Sequence, residues 1–63
     1  GLDGVEQISL SFPAKSGKTY TIEETSDMRR WKTRESGIIG TGNTIQRNFP
    51  IEGTETFLRA REE

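Results

Sequence analysis

A small antiparallel all-β fold, a β-sandwich or sheet of about five strands, is what three observations predict. Apolar and polar residues alternate with a period of two along most of the chain. Seven glycines and two prolines punctuate the alternation. No window carries the 3.6-residue period of an amphipathic helix of usable length.

Each strand is carried by its own pattern. In VEQISLSF, from Val5, the residues Ile8, Leu10 and Phe12 alternate with serines and read as a half-buried strand. Pro13 and the stretch Lys15–Lys18 break it, with Gly17 as the turn residue. KTYTIEET puts Tyr20 and Ile22 on one face and Thr19, Thr21 and Glu23 on the other. Ser26 and Asp27 then initiate a turn, because short oxygen-bearing side chains bond their own backbone. RWKTRE (residues 30–35) reads as a third strand, with Trp31 and Thr33 on one face and Arg30, Lys32 and Arg34 opposite. GIIGTGN must contain a turn, and Gly42-Asn43 suits a tight hairpin. TIQRNFPI lines up Ile45, Arg47, Phe49 and Ile51, and Pro50 marks an edge or a strand end. After EGTE comes TFLRARE, with Leu58 and Ala60 on one face and Phe57, Arg59 and Arg61 on the other.

Sixty-three residues make one β-rich domain over 1–63, and the start at Gly1 without an initiator Met suggests excision from a longer protein. A chain of this length buries only about 60% of the surface its unfolded form exposes, so a 29% hydrophobic content leaves a thin core. Small scaffolds usually add disulfides, a metal or a partner subunit. The absence of Cys and His removes disulfides and the commonest transition-metal ligands. Unaided folding stays open, and self-association or contact with neighbouring domains of a parent chain is the expected alternative. The formal charge of −1 gives no global field towards nucleic acid or an anionic membrane. No apolar run approaches the ~18 residues of a spanning helix, so membrane insertion is not expected.

Taken in order, these segments resemble a shortened fibronectin type III-like sandwich. ISLSFPA is similar to that family's second strand, KTYTIEETSD to its third with Tyr20 in the aromatic slot, RWKTRES to the short strand that follows, and TFLRAREE to the aromatic-x-Arg-x-Arg strand near the end. More narrowly, Gly17, Lys18, Tyr20, Ile22, Glu23, Ser26, Asp27, Met28 and Trp31, with Phe57 to Arg61, are similar to short modules at the C-terminal ends of large secreted bacterial proteins. The family's first and last strands have no counterpart, and Leu58 and Ala60 replace a bulkier Tyr and Val. The resemblance implies a truncated sandwich in a non-catalytic accessory role, secreted or at the cell surface, with strand 19–25 between strands 30–35 and 57–61. A small SH3-like or OB-like barrel is the alternative.

Motifs that suggest chemistry fail on spacing. Ser16–Thr19 ends like a phosphate loop, but the required first glycine position holds Phe12, and a strand rather than a helix follows. Gly40 and Gly42 begin a dinucleotide fingerprint whose third glycine position holds Ile45. Without His or Cys the usual nucleophile–base systems are missing, and no Ser-x-x-Lys spacing occurs. Glu23 and Glu24 point to opposite faces of one strand, which does not pair them for acid–base work. No Asp-x-Asp-x-Asp loop offers calcium a site. The expectation is no catalytic residue, no metal and no cofactor.

Four residues remain as candidate partner contacts: Arg30, Lys32, Arg34 and Phe57. The three cations form one row, to be balanced by Glu23 across the sheet or to meet an anionic partner such as nucleic acid. Trp31, on the other face, is expected to plug the core. Phe57 lies either beneath an arginine stem at a sheet edge or as an exposed anchor for a neighbouring domain or a second copy.

Overall fold

The computed structural model describes residues 6–51 and 55–63. Those residues form five antiparallel strands and no helix: β1 (Gln7–Pro13), β2 (Thr19–Thr25), β3 (Lys32–Ile39), β4 (Thr44–Pro50) and β5 (Phe57–Glu62). The expected beginning of the first strand at Val5 and the Glu52–Gly53–Thr54 part of the last turn lie outside the described residues.

The strands divide into two sheets, β1 with β4 and β3-β2-β5 with β2 in the middle. The expected position of strand 19–25 between its two neighbours is therefore found. No ladder joins the sheets among the described residues, so they do not close into a barrel. Of the sequence-consecutive strands only β2 and β3 pair with each other. The connection at Gly40–Asn43 is thus a crossover between sheets, not the expected hairpin. Gly42 still supplies the positive φ (92°) that the Gly-Asn pair suggests, and Gly17 does the same in the β1–β2 connection (φ 81°).

Those two crossovers lock together. The Ala14 N–H donates to the Asn43 carbonyl (3.3 Å) and the Gly42 N–H to the Ala14 carbonyl (2.9 Å). The Gly40 N–H donates to the Lys18 carbonyl (2.8 Å), and the Gly17 N–H to that of Gly40 (3.2 Å). Gly40 is buried against the Lys15 carbonyl so closely that a Cβ there would overlap it. The buried Tyr20 completes the clasp by accepting the Lys15 N–H (2.7 Å) and donating to Glu62 (3.4 Å).

Above the clasp lies the core of Phe12, Ala14, Tyr20, Ile22 and Ile38, with Leu10, Ile45, Phe49, Leu58 and Ala60 packed around it. Every strand contributes, as the two-residue period demands. The Phe12 and Tyr20 rings meet at 5.4 Å and 52°, a tilted contact worth about 0.5–1.5 kcal/mol beyond the area it buries. Trp31 is absent from this cluster, contrary to its expected place as the plug.

Strand β3 explains that difference. Its register against β2 shifts twice: an extra residue sits between Ile38 and Glu35, at Ser36–Gly37, and Arg34 is a second between Glu35 and Thr33. Gly37, at φ 70°, provides the backbone for the first bulge. The strand is consequently longer than residues 30–35, and a strict alternation counted from Trp31 fails along it. Ile38, not Trp31, reaches the core.

Gly40→Ala should be the most damaging small substitution in the clasp, at ~3 kcal/mol or more, because backbone rather than a movable side chain must give way. Gly17→Ala, with open space around it but positive φ, should cost only about 1–2 kcal/mol. Urea denaturation compares them directly, and equal midpoints would refute the close-approach argument.

Candidate functional site

The residues singled out in the sequence are split between two sides of the three-stranded sheet. In the register Glu23 faces Thr33 on β3 and Arg59 on β5, while Glu24 faces Lys32 and Leu58. Paired residues share a face, so Glu23, Thr33 and Arg59 lie outside, and Glu24, Lys32 and Leu58 lie on the side of the second sheet. The cationic row therefore does not oppose Glu23.

Arg34 is withdrawn from the surface. Its Nη1 is 2.8 Å from Glu24 Oε1, with both side chains about four-fifths buried or more, and its guanidinium stands 5.0 Å from the centre of the Phe49 ring on the opposing sheet. Beside it Arg47 of β4 donates Nε to Glu35 of β3 at 3.2 Å. Both arginines span the gap between sheets, a task suited to a long planar cation that can pair and stack together.

Outside, Glu23 accepts from Arg59 Nε (2.7 Å) and Arg61 Nη1 (3.3 Å). Trp31, just ahead of β3, lies beneath Arg59 with 3.9 Å between guanidinium carbon and ring centre. The expected ladder between β2 and β5 is present, and its third member on the β3 side is an aromatic ring rather than Lys32 or Arg30. The hydrogen bond from Arg59, assisted by the charges of both arginines, holds the Glu23 carboxyl below its ordinary value of 4.5.

The connection before Trp31 is held by Thr25 and Asp27 more than by Ser26. The Asp27 carboxylate accepts the backbone N–H of Arg29 (2.8 Å) and Arg30 (3.0 Å) and the Thr25 hydroxyl (3.0 Å). Thr25 Oγ1 in turn accepts the N–H of Asp27 and Met28. The backbone donors of Arg30 and Arg29, then the Thr25 hydroxyl, lower the Asp27 acid below its ordinary 3.8. Met28 takes positive φ (65°) and is exposed.

This turn delivers Arg30 and Lys32 to a shallow groove of about 330 Å³ lined with Glu24, Thr25, Ser26 and Trp31. Both cations are exposed, and among the described residues neither is in a salt bridge. Phe57 begins β5 opposite Thr25 and is 42% exposed. Among the described residues no arginine stacks on it, since the cation–π partners are Trp31 and Phe49. Of the four candidates, then, Arg30 and Lys32 are brought together, Arg34 is taken into an internal pair, and Phe57 stands apart. The groove's aromatic wall was missed because Trp31 was assigned inward; Gly37, a glycine inside a strand, was the available signal that alternation would slip.

Among the described residues no group of His, Cys, Asp or Glu converges to hold a metal ion, and no helix is long and apolar enough to cross a membrane. Comparison with protein families, curated proteins and solved structures finds no match for this chain.

Glu23 and Asp27 together set an acid limit. A carboxyl lowered by folding stabilises the fold fully above its ordinary value, and loses that contribution as pH falls through the folded value. Stability should therefore be flat from neutral pH to about pH 5 and decline from there into the acid range. Glu23→Gln should lower stability at neutral pH and flatten part of the acid decline, as followed by urea midpoints across pH. An acid limb identical to that of the unsubstituted protein would refute the assignment.

Proposed function

We propose that this chain is a non-catalytic structural and interaction module of the fibronectin type III-like kind, serving a secreted bacterial protein as spacer, interdomain contact or surface attachment. The observation that carries the reading is the pairing pattern. In immunoglobulin-like sandwiches the second strand pairs with the fifth, and the third lies beside the sixth. With β1 in the second place and β2 in the third, β1–β4 and β2–β5 follow that pattern, and β3 takes the short strand's place beside β2. The engagement of Glu23, Glu24, Glu35 and Glu62 in ion pairs adds support, since acid–base catalysis needs carboxyls open to a substrate. The extracellular location rests on the sequence resemblance alone.

One observation favours a second reading, contact with an anionic partner such as nucleic acid: Arg30 and Lys32 flank an aromatic ring in an open groove.

Two measurements separate them. The natural gene should encode an export signal and large upstream domains; a short cytosolic product would overturn the first reading. A single-stranded oligonucleotide at low salt should leave the amide signals of residues 29–33 and the Trp31 indole unmoved. Shifts there, weakening as salt is raised, would favour the second reading instead.

A further inference from the structure

The two sheets leave four strand edges, and three of them carry charge or irregularity. β3 has two bulges together with Lys32, Arg34 and Glu35. β5 presents Arg59, Arg61 and Glu62, and β4 has Arg47 at its centre. Such features oppose edge-to-edge pairing. β1, QISLSFP, has neither a charge nor a bulge along its pairing with β4. Among the described residues nothing pairs with its other side.

The direction of its backbone groups follows from its ladder. Ile51 N–H donates to the Glu6 carbonyl and Ala14 N–H to that of Asn43, both in the register that pairs Ile8 with Phe49 and Phe12 with Ile45. Even-numbered residues of β1 therefore bond to β4, and Gln7, Ser9, Ser11 and Pro13 aim their backbone groups at the open edge.

We infer that this edge pairs with the same edge of a second copy, about a twofold axis through Leu10. In that register Ser9 stands opposite Ser11 of the second copy, and each exchanges its N–H and C=O with the other. Gln7 N–H meets the carbonyl of Pro13, which lacks only a donor. On the inner face Ile8 meets Phe12, and Leu10 meets Leu10. No like charges meet, and apart from Gln7 opposite Pro13 at either end, apolar residues face apolar ones and serines face serines. Equivalent axes on the other edges fail: centring β4 on Arg47 sets that cation against itself, and centring β5 on Arg59 does the same. The half-buried Leu10 and Ile8 would gain cover that this small core lacks. A single strand pair falls below the ~1,200 Å² of stable complexes, so the dimer is reversible and concentration-dependent. This extends the interaction-module reading and fails separately from it, since a monomeric chain could still link domains.

Hydrogen exchange and sedimentation across a concentration series test the inference. The Gln7, Ser9 and Ser11 amides should become protected, and the sedimenting mass should double, as concentration rises. Ser11→Pro removes an edge donor without touching the β4 ladder, and should abolish both effects while leaving near-ultraviolet dichroism unchanged. Should that variant not fold, Ser11→Lys, which adds one cation per copy beside the axis, serves instead. Exchange that stays fast at every concentration would overturn the inference. So would protection independent of concentration, which means a segment of the same chain covers the edge, or a dimer that survives both substitutions.

Discussion

The Lys15 carbonyl occupies the space that any side chain at position 40 would need, and the rest of the structure depends on that approach. A two-stranded ribbon on its own is marginal in water. The ribbon holds by facing the other sheet, and two of the three chain crossings between them, β1 to β2 and β3 to β4, meet at this end. Gly40 lets the crossings touch, their backbone groups satisfy one another, and Tyr20 ties them to the core and to the end of β5. With stability of roughly 3–9 kcal/mol for a chain of this length, one lost contact of this kind is a large share of the total.

The opposite end is closed differently. Where the apolar core thins, Arg34, paired with Glu24 of its own sheet, reaches across to Phe49, and Arg47 reaches across to Glu35. A half-buried ion pair contributes little net energy against an apolar isostere, because desolvation offsets much of the attraction. It does fix how the sheets stand: Glu24 left without Arg34 would be a carboxylate turned inward and unpaired. The chain thus combines a low hydrophobic content with a two-sheet fold by assigning charged residues to the interior seam.

Strand identities were readable because they depend on local alternation and on turn residues. Ile8, Leu10, Phe12, Tyr20, Ile22, Leu58 and Ala60 fall on the expected side, and Gly17 and Pro50 stand where a turn and a strand end require them. What was not readable was how strands meet. Gly42-Asn43 favours a tight reversal, but whether the next strand pairs or crosses over depends on the core on the far side of the chain. Trp31 was misassigned for a related reason. A period of two has no memory of a bulge, and the slips at Gly37 and Arg34 exchange inside for outside within a few residues. The β5 half of the Glu23 ladder was legible, whereas the sequence left Phe57 between an arginine-covered and an exposed position, and the withdrawal of Arg34 needed the opposing sheet.

That reassignment changes the meaning of an aromatic residue among cations. Arg59 already occupies one face of the indole and is itself anchored by Glu23, so the stack is an internal arrangement before it is a platform. A ligand would have only the groove side of Trp31, and would approach it past Glu24 as well as Arg30 and Lys32. Aromatic and cationic residues in one stretch therefore do not by themselves make a recognition surface. The cations that stack on Trp31 and Phe49 come from β5 and β3, whereas Arg30 and Lys32 keep their charge available to the outside. Half-buried beneath Arg59, the indole lies against the sheet's outer charge ladder instead of filling the core, which is built from Ile38 and its neighbours.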